Sequence, residues 1–235
     1  MNVLINKYIE KQKRFNIKMQ EMDITYKHMM RTNIIMKKII VLDLETTGLP
    51  PMKGFNEYYP YSNSKVYDRS RIVQMSFGIY DTDGHELDFC DLIIKPEGFI
   101  IPYGSIKIHK ITNEIANAKG INISSALSIL NTKWTDKVIK IVGHNINFDI
   151  NVLLSELHRK GKNDVITKIF KTKRICTMFA SKNIVQIDNG STSYKLPKMR
   201  ELYYFLFKKN PIMQHNAMYD VIHTAQCYFE LAKRY

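Results

Sequence analysis

The sequence predicts an α/β fold, a five-stranded mixed sheet with helices on both faces. Three observations carry this. The run Lys38-Ile39-Ile40-Val41-Leu42 is a buried strand by its branched apolar residues. Two further runs, Arg71–Asp81 and Leu87–Lys95, are separated by little more than the turn Thr82-Asp83-Gly84, so the sheet begins with an antiparallel hairpin. Strand and helix patterns then alternate, with Val138–Val142 as a fourth strand and Arg174–Met178 as a short fifth strand or bend.

The chain of 235 residues is long enough for one well-buried domain, and 45% apolar with 24% charged residues is a globular composition. The net charge of +13 suggests a polyanionic partner, nucleic acid before membrane. No apolar run of about 18 residues suggests a membrane span, and Met1–Lys7 lacks a secretory core. Cys90, Cys176 and Cys227 form no paired motif, which fits free thiols in a reducing, intracellular compartment of a protein that is not secreted. Residues 1–36 read as a loosely ordered basic extension with little periodicity, and residues 37–235 as the domain. Met36 would itself make a natural translation start.

Along the domain, Pro50–Ser70 has no periodicity and reads as an irregular flap whose tyrosines could stack on bases. Pro96–Gly104 is a loop. Short helices are expected over Asn113–Ala118, with Thr112 as N-cap, and over Ile123–Trp134. The spacing of Phe148, Val152, Leu153 and Leu157 predicts a helix that places Asp149 in its first turn. Asp164–Phe170, Leu196–Phe207 and Met218–Ala232 complete the helices.

The chemistry starts at Asp43-Leu44-Glu45-Thr46-Thr47-Gly48-Leu49. Carboxylates at i and i+2 leave one face of a strand together, and two like charges side by side need a cation. Thr46, Thr47 and Gly48 offer a turn whose backbone N–H groups suit a phosphate. His215 and Asp220 stand five apart. Within one helix they would diverge by about 140°; with His215 ahead of the helix and Asn216 capping it, both can face one point. Asp43, Glu45, Asp149 and Asp220 with one imidazole suit two hard divalent cations, Mg²⁺ or Mn²⁺, acting on a phosphodiester. An imidazole, with an ordinary pKa of about 6.5, suits deprotonation of water near neutral pH.

Asp43–Leu49, Gly143-His144-Asn145-Ile146-Asn147-Phe148-Asp149 and His215-Asn216-Ala217-Met218-Tyr219-Asp220 resemble, in order, the three motifs of the DnaQ-like, DEDDh-type 3′→5′ exonucleases of the ribonuclease H-like superfamily. The resemblance implies that residues 37–235 are an exonuclease domain. It also implies that Asp43, Glu45, Asp149 and Asp220 are metal ligands and catalytic residues, with His215 the general base. Thr46, Thr47, Gly48 and Leu49 would receive the 3′-terminal nucleotide, Leu49 packing on bases. Ile108-His109-Lys110-Ile111-Thr112 resembles a substrate-side segment, so His109 joins Asn145 as a substrate-binding candidate. The implied substrate is DNA or RNA with a free 3′ end, single-stranded by preference, and any proofreading would act in trans beside a polymerase. A nucleic-acid-binding module of the same fold with weak turnover is the alternative, and such a module would be expected to lack at least one of the five residues.

Overall fold

The computed structural model describes residues 36–190, 192–212 and 215–234. The expectations for the N-terminal extension lie outside these residues. The main sheet comprises β1 (Lys38–Thr46), β4 (Ile72–Tyr80), β5 (Glu86–Ile93), β6 (Val138–Gly143) and β7 (Lys173–Cys176), in the order β5-β4-β1-β6-β7. β4 is antiparallel to β1 and β5, whereas β6 runs parallel to β1 and β7 parallel to β6. This is the mixed five-stranded sheet expected from the hairpin followed by strand-helix alternation.

Alternation along β1 assigns each face. Ile40, Leu42 and Leu44 pack with Met75, Phe77 and Ile141 against α3 (Ile123–Lys133), α4 (Ile146–Arg159) and α5 (Asn163–Lys171). Ile39 and Val41 point the other way, onto Val221, Ala225 and Tyr228 of α9 (Ala217–Arg234). Each fully buried branched side chain contributes about 1.5–3 kcal/mol, so β1 is held from both sides. The single tryptophan, Trp134, ends α3 at 1% exposure, and its Nε1–H donates to Thr172 Oγ1 at 3.2 Å.

Two regions differ from the sequence reading. Within Pro50–Ser70 the chain forms a small hairpin, β2 (Met52–Gly54) and β3 (Glu57–Tyr58), turning through Phe55 and Asn56, the latter at φ 57°. A 3₁₀ turn follows at Ser64–Tyr67. The base of this insertion is anchored: the Tyr67 hydroxyl donates to the Tyr59 carbonyl at 2.6 Å, and Arg159 of α4 pairs with Asp68 at 2.6 Å. Strands of two and three residues are too short to show a period, so they were not visible as such. The second difference is α1 (Tyr103–His109), read as a loop and its continuation. It ends where Lys110 adopts a left-handed φ of 64°, ahead of α2 (Asn113–Lys119). Thr112 caps α2 as expected, accepting the Ile115 N–H at 3.2 Å.

Toward the C-terminus, α6 (Thr177–Ala180) and α7 (Lys182–Val185) follow β7 directly. α8 (Met199–Phe207) starts after Pro197, and the Glu201 carboxylate accepts the Lys198 N–H at 2.7 Å to close its first turn.

Candidate active site

Asp43 and Glu45 continue the face of β1 that Ile39 and Val41 present to α9, beyond the point where apolar packing stops. A register shift between Glu45 and Thr46 marks a bulge at the strand end, a device that re-aims side chains. On α9, Asp220 lies in the first turn. Carboxylate oxygens of Asp43, Glu45 and Asp220 all lie within 4.8 Å of one another. Asp149, 3% exposed in the first turn of α4, adjoins them from the opposite helix layer, and its Oδ1 accepts the Leu44 N–H at 3.1 Å.

The electrostatics follow from that crowding. Burial, then repulsion from Asp149, Asp220 and Glu45, holds the Asp43 carboxyl well above the usual carboxylate range. Glu45 is pushed up to about 7 by burial and by Asp220. Asp220 is pushed up to about 6 by burial, with His215 pulling the other way. Burial raises Asp149 strongly against the hydrogen bonds it accepts. Among the described residues none of the four is in an ion pair with Lys or Arg. Crowded oxygen donors, Asp149 buried and the other three half-buried, without a protein cation are a donor set that fits hard divalent metal ions.

His215 stands before α9, as the capping alternative required. It is exposed, with a left-handed φ of 61°, and its backbone N–H donates to Asp220 Oδ2 at 3.2 Å. Asn216 Oδ1 accepts the Met218 N–H at 3.2 Å and so caps the helix start. Asp43, His215 and Asp220 line a cleft of about 920 Å³ that continues past Met178, Lys198 and Tyr204.

The Thr-Thr-Gly segment is fixed by its surroundings. Thr47 exchanges two hydrogen bonds with the Arg71 backbone, donating its N–H at 2.9 Å and accepting at Oγ1 at 2.8 Å, while its carbonyl accepts the Ser105 hydroxyl at 2.7 Å. Thr46 Oγ1 donates to the Gly48 carbonyl at 2.8 Å. Any Cβ at Gly48 would stand 3.0 Å from the Arg69 carbonyl oxygen. Both threonines are buried, and Leu49 is presented at 73% exposure. Both threonine hydroxyls thus hold the loop, and Leu49 is the surface it offers.

The remaining candidates are placed differently. Asn145 starts α4 in a left-handed conformation, φ 69°, without a side-chain capping bond. His109 is 3% exposed, its Nδ1 accepts the Ile111 N–H at 3.1 Å, and burial lowers its pKa. It is not among the residues lining the carboxylate cleft.

Two polar residues that motif reading passed over shape the site. Gln74, 2% exposed, faces Glu45 across the β1–β4 ladder. Its Nε2 donates to Asp91 at 2.7 Å, and its Oε1 accepts the Ala217 N–H at 3.3 Å, tying the sheet to the start of α9. A glutamine inside a largely apolar strand run was the available signal. His144 donates Nε2–H to the Pro197 carbonyl at 3.0 Å, leaving Nδ1 to accept from Thr177 at 3.0 Å. Burial drives its pKa down to about 4, so it sits as a neutral clasp between β6, α6 and the approach to α8. A second acidic group, Asp81, Asp83 and His85, is accounted for by its turn: Asp81 Oδ1 accepts three successive backbone N–H groups at 2.9, 2.8 and 2.9 Å.

Comparison with known proteins fits this geometry. Residues 40–228 match the family model described as an exonuclease, RNase_T. Among solved structures, E. coli exonuclease I in complex with a dA16 oligonucleotide is similar at 18% identity and a TM-score of 0.61, covering 84% of this chain and 41% of that one. A zinc-bound E. coli exonuclease I complex with single-stranded DNA is similar at 20% identity and a TM-score of 0.60, with the same coverage. This likeness shows the ribonuclease H-like fold, and the chain spans about two fifths of the length of those proteins. Comparison with curated protein sequences gives no match. With the family model covering both the strand-end carboxylates and the His215–Asp220 segment, the chain belongs to the exonuclease family.

Proposed function

We propose that this protein removes nucleotides one at a time from the 3′ end of DNA or RNA, single strands by preference, releasing nucleoside 5′-monophosphates. The observation that carries the reading is the convergence of Asp43, Glu45 and Asp220 within 4.8 Å, beside Asp149, with Asp43 and Asp220 lining a cleft that His215 also lines. Asp43, Glu45, Asp149 and Asp220 would hold two divalent cations, Mg²⁺ or Mn²⁺. Such a pair, when bound, stabilises charge on the attacking and leaving oxygens of an in-line phosphoryl displacement. His215 accepts the proton of the attacking water, and its backbone bond to Asp220 keeps it beside the carboxylates. The braced segment from Thr46 to Leu49 receives the terminal nucleotide, Leu49 supplying the apolar contact. Asp149 and Asp220 are set by helix starts, so ligand geometry depends on how α4 and α9 dock on β1. The basic net charge of +13 favours a polyanion. No described helix is long and apolar enough to cross a membrane.

The presence of all five residues favours turnover over a binding-only module. A 5′-labelled single strand should shorten to a ladder from its 3′ end in Mg²⁺ or Mn²⁺, stop in EDTA, and yield mononucleotides. A closed single-stranded circle should survive; its digestion, or shortening that ignores EDTA, would overturn the reading. A polymerase that this chain proofreads in trans would be a natural partner for such an activity.

A further inference from the structure

The β2–β3 hairpin places an aromatic ring where the core does not use it. Phe55, at the turn, is 79% exposed. Its ring meets Phe179 of α6 edge-on, with centroids 6.4 Å apart and an interplanar angle of 63°. Phe179 is itself 38% exposed. Edge-on contact braces one ring while leaving its broad face open.

This pair is carried by two segments that approach the carboxylate cleft. Met178, adjacent to Phe179, lines the cleft together with Asp43, His215 and Asp220. At the other end of the hairpin, half-buried Tyr58 lies within electrostatic reach of Asp149. The neighbourhood also carries cations: Lys53 on the hairpin lies 5.5 Å from the Tyr59 ring centroid, and Lys198 lines the cleft. An exposed, braced ring on a hairpin that also carries a cation, near a site for phosphodiester chemistry, matches the way proteins hold single-stranded nucleic acid.

We propose that Phe55, braced by Phe179, stacks on an unpaired base of the substrate strand, so that the hairpin favours single-stranded over duplex ends. This rests on the exonuclease reading of the cleft. Bases inside a duplex have both faces covered by their neighbours; only an unstacked base can offer a face to the ring.

Binding measured without turnover tests it. In EDTA, a labelled single strand of about 15 nucleotides is titrated by fluorescence anisotropy. Phe55→Ala should weaken binding by roughly 5- to 150-fold, the range of one base stack. Phe179→Ala should weaken it less, and Phe55→Trp should stay within about twofold of wild type. A strand lacking its bases near the 3′ end should bind wild type and Phe55→Ala alike, and a blunt duplex should not distinguish them. Unchanged single-strand binding in Phe55→Ala, or an equal loss on the base-free strand, overturns the clamp. If Phe55→Ala loses binding but wild type shortens no strand with Mg²⁺, the clamp stands and the exonuclease reading falls. If wild type shortens strands while both alanine variants bind normally, only the clamp falls. Failure of the wild type to bind a single strand at all would overturn the clamp as well.

Discussion

The two sides of the carboxylate cleft are built differently. On one side Asp43, Glu45 and Asp149 rest on β1 and the start of α4, packed by fully buried residues and fixed by the bond from the Leu44 N–H to Asp149. On the other side His215 sits on an exposed turn with a left-handed backbone, tied to Asp220 by one backbone bond and followed by a helix start that Gln74 anchors. The difference teaches that the Asp43 side is held by the core, at a cost in crowded charge, whereas the His215 side is held by a few polar contacts. A rigid floor suits charges that must converge, and a lightly tethered imidazole suits the proton-accepting role proposed for His215.

The largest expected effect lies on the rigid side. Asp43→Ala should lower kcat by about a thousandfold or more, roughly 4 kcal/mol of transition-state stabilisation. Because it removes a buried carboxyl repelled by three others, its melting temperature in EDTA should equal or exceed that of wild type; a large drop would mean that the cluster holds the fold instead of the reaction. Glu45→Gln should likewise reduce kcat more than single-strand affinity, and the reverse would move Glu45 out of the reacting centre.

On the tethered side, His215→Ala should cost about 10²- to 10⁴-fold in kcat, the usual worth of a positioned general base, with single-strand affinity in EDTA unchanged. Wild-type turnover in this variant would remove the base from the scheme.

His144, which ties the end of β6 to α6 and the approach to α8, is expected to appear in acid. Its folded pKa of about 4 lies below the ordinary value near 6.5, so the unfolded chain takes up a proton that the folded chain refuses. Its contribution is therefore full above about pH 6.5 and is lost as pH falls toward 4, by on the order of 3 kcal/mol. Denaturant titrations of wild type and His144→Asn across that window should show the substitution flattening the acid loss. Parallel curves would refute the clasp.

The smallest effect is expected at Gln74. Gln74→Ala leaves the Ala217 N–H and a lone pair of Asp91 without their partner, which costs about 1–3 kcal/mol. If the start of α9 depends on that bond, kcat should fall more than global stability does; equal losses would assign Gln74 to the core alone.

Much of the sheet and the carboxylate spacing was legible because a period of two is a strong constraint. A strand whose apolar faces are assigned by Ile39 to Leu44 has no choice about where Asp43 and Glu45 point. The His215–Asp220 segment was legible only as a conditional, since it depends on whether the helix starts before or after His215, and a left-handed residue there settles it. His109 was legible only through its likeness to a substrate-side segment; its inward placement follows from the short helix α1, which the loop reading of Pro96–Gly104 did not contain. Phe55 could not be foreseen, because a strand pair this short is defined by the Phe55-Asn56 turn and by the anchored Tyr67, not by any repeat of apolar residues.

Trp134 has a practical consequence. It sits where β6 and β7 begin, bonded to Thr172, while the cleft lies where those strands end, about 20 Å along β6 at the usual rise per residue. Its emission therefore reports the opening of the helix layer over the sheet and is insulated from events among the carboxylates. Intrinsic fluorescence can follow unfolding of the variants above that keep Trp134 as their single tryptophan, whereas Phe55→Trp adds a second emitter placed to respond to an oligonucleotide.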